Sequence, residues 1–412
     1  MSDSDEATEG DTIVRASRFV VVTSTCINAA FVLSVQLLGL VALAPADFGF
    51  FSLQYLFFAL ASSVCLSVVC EPWLRTDLHE NHRSTWRDYS SMLFYLSLAA
   101  GIITAIVSIF IPDLRIVAVT GGIAVMAGTY RSGARYHQVR MNLWKPVLRA
   151  DIAGLVVTLG VWFGLRETGV RGLVGLSIAW AAGTVAACLL SRWPAFQRIR
   201  SVRTWITTHR RQIAPLLRDS TLMDAGAIGT PFAVAPLMGI ANFGVYRAVS
   251  NVAAPVRLVL NPLRPTLASA PLATHRDPKR IWASVGISIA FGLAAYGALR
   301  LIGVANIHLG SLSAVVTYAA PTALFVTANF LGHYYYIIAR THTRGRLMLV
   351  GRIIQTVLAV VLPLAAVVFF GLPEAIWAYA IATCISSLTW FILVTRITLR
   401  QGLTTTEIPA EA

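Results

Sequence analysis

The residues in this chain best equipped for chemistry are arginines in places where arginine is expensive. Residues 242–265, NFGVYRAVSNVAAPVRLVLNPLRP, have the apolar bulk of a membrane span yet carry Arg247, Arg257 and Arg264. An arginine at the centre of a bilayer helix costs roughly 2.5–3.5 kcal/mol even on a lenient insertion scale, so each needs a partner or a task. Counted from an outer start near Gly244, Arg257 falls about 20 Å down the helix, near the middle of the bilayer. Arg264 follows two turns later on the same face. Arg247 is rotated away from both and is expected at the outer rim, where it can snorkel. Asn251 and Asn261 add hydrogen-bonding capacity, and Pro255, Pro262 and Pro265 imply kinks or a broken lower end. Two compatible readings hold for Arg257: a buried ion pair with Asp219 or Asp224 of the preceding span, and an electropositive cavity facing an anionic ligand. Asp224 is accordingly either that partner or a protonatable coupling site.

Other polar groups are less committed. Glu71, Arg18 and His333 fall where an inward mouth would be, although Glu71 reads equally well as an interfacial residue. NFLGHYYYIIAR, 329–340, suggests an aromatic belt at the inner interface, with sugar stacking as the alternative. In RADIAG, Arg149 and Asp151 read as a structural pair. The HENH at 79–82 has no further ligands near it, so no metal is expected. No phosphate-cradling GxxxxGK[ST], nucleophile elbow or HExxH occurs. The chain is therefore read as a non-enzyme without a cofactor.

The elements that must position these groups follow from composition. Of 412 residues, 56% are hydrophobic and 13% charged, and the mean hydropathy is +0.69. A soluble chain would carry about a quarter charged residues, so this is an all-α integral membrane protein. The net charge of +14 is assigned to cytoplasmic loops and not to nucleic acid. Five cysteines show neither metal nor disulfide spacing. The apolar run Val20–Ala44 is too long for a signal peptide, and Pro45 would block cleavage, so it reads as an uncleaved first span.

Apolar windows predict twelve transmembrane helices near 18–43, 48–70, 89–111, 115–138, 147–165, 172–191, 212–240, 243–269, 281–303, 312–339, 347–371 and 374–396. Of the 33 lysines and arginines, 27 fall on alternate loops of one side and five on the other, with Arg257 remaining. The positive-inside rule then makes both termini cytoplasmic. All outward loops are short. The longest inward segment, 191–220, interleaves Trp, Phe and Ile with Arg and reads as an amphipathic helix on anionic headgroups. The expected organisation is a disordered acidic N-tail (1–17), a six-helix half (18–191), a cytoplasmic amphipathic linker (192–211), a second six-helix half (212–396) and a C-tail (397–412). DFGFFSL at 47–53 opens the second span as NFGVYRA at 242–248 opens the eighth, and EPWLR and NPLRP end them. Two parallel repeats would leave a central cleft open to one face at a time, the geometry of alternating access.

With LLGLVALAPADFGFFSL leading into the second span and FGxYRAxxNxxxPxxLxLNxLRP forming the eighth, the chain resembles the Wzx-type polysaccharide-repeat flippases. These belong to the multidrug/oligosaccharidyl-lipid/polysaccharide exporter superfamily. The resemblance implies a carrier that moves polyprenyl-diphosphate-linked oligosaccharide from the cytoplasmic to the outer leaflet of a bacterial plasma membrane. It implies a cavity lined by the first, second, seventh and eighth spans, and partners among anionic glycolipid, membrane lipids and glycan-assembly polymerase or glycosyltransferases. The eighth-span arginines and Asp224 are the residues it points to. The first span offers only Thr23, Ser24, Thr25, Asn28, Ser34 and Gln36, which argues against a strongly charged wall on the first half. Arginine suits a diphosphate through bidentate pairing. A potential negative inside favours outward movement of an anion by roughly 2.3 kcal/mol per charge per 100 mV. The competing functions are a cation-coupled multidrug exporter of the same superfamily and a membrane polymerase or ligase of glycan assembly, which the short outward loops disfavour.

Overall fold

The computed structural model describes residues 18–79, 85–343 and 345–396. Both tails and His82 of the HENH stretch lie outside the described residues. Every described element is helical, as apolar spans in lipid require when each backbone group must be satisfied within its own segment.

The first half runs α1 (Arg18–Ala42), α2 (Pro45–Cys65), a π-turn (Leu66–Cys70), α3 (Glu71–His79), α4 (Trp86–Phe110), α5 (Ala118–Arg140), α6 (Trp144–Glu167) and α7 (Gly172–Leu189). In the second half, α8 (Arg200–Asp224), a π-turn (Ala225–Gly229) and α9 (Thr230–Met238) make the seventh span. The eighth is α10 (Ile240–Val252) with α11 (Ala254–Ser269), followed by a short α12 (Leu272–Arg276) and the ninth, α13 (Pro278–Val304). The tenth is α14 (Gly310–Val315) with α15 (Ala319–His342); α16 (Gly345–Phe369) and α17 (Leu372–Thr395) complete the set. Each predicted window thus has its helical counterpart. Among the described residues nine helices are long and apolar enough to cross a membrane on composition alone. The other three, α5, the seventh span and the eighth, are more polar or broken, and the chemistry is concentrated there.

The break in the eighth span has a local cause. Pro255 has no N–H to return to the carbonyl of Asn251, which instead accepts from Ala253 at a tight turn. The span therefore divides near its middle, and the first turn of α11 opens there.

The core crosses between the halves. Phe48 and Phe51 of α2, Leu176 and Trp180 of α7, and Tyr246 and Val249 of α10 belong to one buried cluster. At the end assigned outward, backbones touch. A methyl on Gly244 would run into the Pro45 carbonyl, and one on Gly49 into that of Ile240. Gly310, at φ +48°, sits against the carbonyls of Val41 and Leu43, and Ser311 Oγ donates to Leu43 at 2.9 Å. The cleft is closed on that side.

The connection between halves differs from the expected helix. Residues 191–199 run as an irregular strap, and helix begins only at Arg200, continuing through Pro215 into the seventh span. Trp205 pulls the start of α8 onto the first half by donating to Val68, inside the first π-turn, at 2.9 Å.

Candidate functional site

Two of the eighth-span arginines, Arg247 and Arg257, come within reach of each other. Arg257, in the first turn of α11, keeps its side chain exposed. Arg247 lies within electrostatic reach of Arg257 and of Tyr55, Tyr246 and Tyr379. Tyr55 comes from α2, lies beside Gln36 of α1 and also feels Arg257. Tyr379, from α17, feels both arginines and stacks on Phe325 at 4.6 Å. Two guanidinium groups are thereby set among tyrosines drawn from both halves.

Arg247, expected to snorkel, is half-buried, and its Nε is buried without a hydrogen-bond partner. α10 packs inside the bundle, with Phe243, Gly244, Tyr246, Ala248 and Val249 all buried.

The expected ion pair for Arg257 also fails. Among the described residues no carboxylate pairs with Arg247 or Arg257. Asp224 is 8% exposed, lies beside Ser63 of α2 and faces Arg352 of α16. Asn251 is half-buried at the last turn of α10, just above the break. The side chains of Arg18, Asn261 and Arg264 lie outside the described residues, and His333 is half-buried on α15.

A polar seam joins the halves toward the end assigned inward. Ser63, Ser67 and Glu71 recur every four residues along the second span. Ser63 meets Asp224, Ser67 and Ser220 share a hydrogen bond at 2.7 Å, and Arg340 of α15 approaches Glu71 at 3.8 Å. Glu71 is therefore a contact between halves. With 46% and 28% of the two side chains exposed, the pair is worth under about 1 kcal/mol. Glu71→Gln is expected to cost under about 1 kcal/mol of stability, on that magnitude. A larger loss in thermal unfolding in detergent would give Glu71 a role beyond the seam.

Two buried cationic centres escaped the sequence reading. Arg131 of α5 is 4% exposed, pairs closely with Asp151, donates to Asn28 at 2.8 Å and stacks over Phe31 at 4.5 Å. Arg135 reaches the other Asp151 oxygen at 3.2 Å. Asp151 is thus paired across helices with α5, while its expected partner Arg149 is exposed. In the second half, Arg352, 5% exposed, bonds to Tyr336 and stacks over its ring at 4.6 Å. Arg131, Arg135 and Arg352 had been counted as loop charges, but α5 and α16 carry helix through those positions. The i, i+4 spacing of Arg131 and Arg135 beside Gly128 and Gly133 was the available signal of a tightly packed face.

No protein-family model and no curated sequence matches the chain. Solved structures do. An inward-facing multidrug-resistance MATE-family transporter of the MOP superfamily superposes with a TM-score of 0.64 at 12% identity, over 95% of this chain and 97% of that one. The fold is that of the MATE transporters. An outward-facing MATE structure gives 0.58 at 13% identity, over 94% of this chain and 96% of that one. A MATE in the bent conformation gives 0.57 at 14% identity with the same coverage, 94% and 96%. The MATE fold carries about twelve spans in two halves around a central cleft, the architecture expected from the hydropathy windows. It also makes the chain a multi-pass membrane protein.

In a MATE fold the outer ends of the halves must separate for the cleft to open outward. Gly244→Val is expected to hold them apart. A cysteine placed at Leu312, in a background without the five native cysteines, should then label faster from outside. Unchanged labelling would show that the glycine contact does not govern this face.

Proposed function

We propose that this chain is a transporter that carries a polyprenyl-diphosphate-linked oligosaccharide from the cytoplasmic to the outer leaflet by alternating access. The observation that supports it is the pair Arg247 and Arg257, set in the cleft with no described carboxylate to neutralise them. Burying a cation without a counter-charge is unfavourable, so the buried Nε of Arg247 beside the exposed Arg257 favours an anionic cargo that supplies the missing charge. A diphosphate offers paired oxygens to two guanidinium groups at once. The polyprenyl tail stays in the bilayer while the headgroup crosses between the halves. The MATE fold supports the two-state motion, and bacterial plasma-membrane residence belongs to the same reading.

A second reading, a cation-coupled multidrug exporter, draws on a different observation. Phe58, Tyr55 and Trp180 form an aromatic wall, with Tyr55 and Trp180 ring centres 5.8 Å apart, and Asp224 is a buried acid at the junction of the halves. Reconstitution separates the two. Purified protein in vesicles would receive a lipid-diphosphate oligosaccharide in one preparation and a cationic dye with an ion gradient in another. Leaflet exchange of the glycolipid, abolished by excess soluble diphosphate headgroup, supports the flippase. Gradient-driven dye movement without glycolipid exchange would sink it in favour of the exporter.

A further inference from the structure

The strap between the halves is an extended segment lying against helices that belong in lipid, and its backbone is satisfied in an unusual way. Four of its carbonyls accept from side chains of the first half. Tyr130 Oη donates to Arg192 at 2.8 Å, Trp86 Nε1 to Trp193 at 3.0 Å, Ser91 Oγ to Ala195 at 2.7 Å and Tyr95 Oη to Gln197 at 2.7 Å. The Ala195 N–H donates to Ser90 Oγ at 3.0 Å, and Gln197 Nε2 donates to Asp88 at 2.9 Å. Non-helical backbone at membrane depth is tolerated only when protein groups take up its polar atoms. A strap in open water would need none of this. Phe196 packs edge-on against Phe94 at 5.0 Å, and Phe94 lies more than two turns into α4, so the strap reaches past the helix end along its flank.

What the strap displays outward is mixed. Trp193 is 64% exposed, Phe196 61% and Ile199 70%. Arg198, Arg200 and Arg203 are exposed among and just after them. No acid occurs between Glu167 and Asp219, and the carboxylate of Asp88 is already engaged by Thr85 and Gln197. Large apolar side chains rigidly presented beside arginines match the boundary between acyl chains and headgroups. Basic side chains without acids favour the anionic members of that layer.

We propose that the strap 192–199 and the first turn of α8 form a docking site for anionic phospholipid headgroups of the cytoplasmic leaflet. Trp193, Phe196 and Ile199 sink into the boundary, while Arg198, Arg200 and Arg203 hold the phosphates. This site is independent of the central cleft and of the cargo assigned to it.

The full chain in nanodiscs tests this with brominated lipids, which quench nearby tryptophan. The signal of Trp193 is the difference between the native chain and Trp193→Phe. Brominated phosphatidylglycerol as a minority lipid should quench that signal several-fold more than brominated phosphatidylcholine at the same mole fraction. The triple change Arg198→Gln, Arg200→Gln, Arg203→Gln should bring the two to parity, while the corresponding triple lysine variant keeps the preference and controls for folding. Equal quenching by both lipids in the native chain overturns the proposal. So does quenching by aqueous iodide in place of lipid bromine, or displacement of the anionic-lipid signal by a short oligonucleotide at physiological salt.

Discussion

Arg257→Ala is expected to slow leaflet exchange of a lipid-diphosphate oligosaccharide roughly ten- to hundred-fold, since a hydrogen bond to a charged group is worth about 1.5–3 kcal/mol. Arg247→Ala should do at least as much, and with a second signature. Its Nε is buried without a partner, and another cation lies within reach, so removing it relieves the empty protein of an uncompensated charge. The variant should therefore unfold at a higher temperature than the native chain while transporting less, the pattern of a site that trades stability for binding. Arg166→Ala, at an exposed outer position, should leave both properties unchanged. Native-like exchange by both cleft variants would remove the arginines from the binding account altogether.

The largest stability effect is expected away from the cleft. Asp151 is fully buried and is held by Arg131 and Arg135 together. Asp151→Ala would leave two cations facing each other between α1, α5 and α6, a loss of about 3–5 kcal/mol by the behaviour of broken buried pairs. Arg131→Met should cost less, because Arg135 still answers the carboxylate at 3.2 Å. Combining Arg131→Met with Asp151→Leu should recover much of the loss, since half-buried Arg135 can turn to water and the remaining pocket is apolar. Thermal unfolding in detergent would rank the three. If Arg131→Met proved the most damaging, the centre would be organised by the packing of Arg131 on Phe31 and not by charge.

The twelve spans were legible because lipid thickness sets their length and loop charge sets their direction, two signals that add along the chain. The break before Pro255 was legible too, from proline chemistry alone. The position of Arg247 was not, because distance from a helix end measures depth and says nothing about which neighbours surround the helix. Arg131, Arg135 and Arg352 were hidden by the charge count used for topology: it tallied them with the adjoining loops although they lie inside the windows 115–138 and 347–371, and helix runs through all three positions. Asp151 was paired with its sequence neighbour Arg149 because contacts between α5 and α6 leave no mark in local spacing. Gln36 and Tyr55, now beside the cleft arginines, carry no pattern that separates them from other polar and aromatic residues of apolar helices.

The seam along the second span depends on an odd count. Eight residues of regular α-helix sweep about 800°, which would leave Glu71 some 80° away from the face of Ser63. The π-turn at Leu66–Cys70 holds one residue more than the α count and takes back about that angle. Deleting a single residue from 66–70 would therefore restore the α count: seven residues sweep about 700°, which keeps Glu71 within about 20° of the face of Ser63 and near Arg340. Straightening the π-turn into regular helix with its residue count unchanged would instead swing Glu71 off that face. The register of the seam is set by the residue count and the π-turn together, and neither fixes it alone.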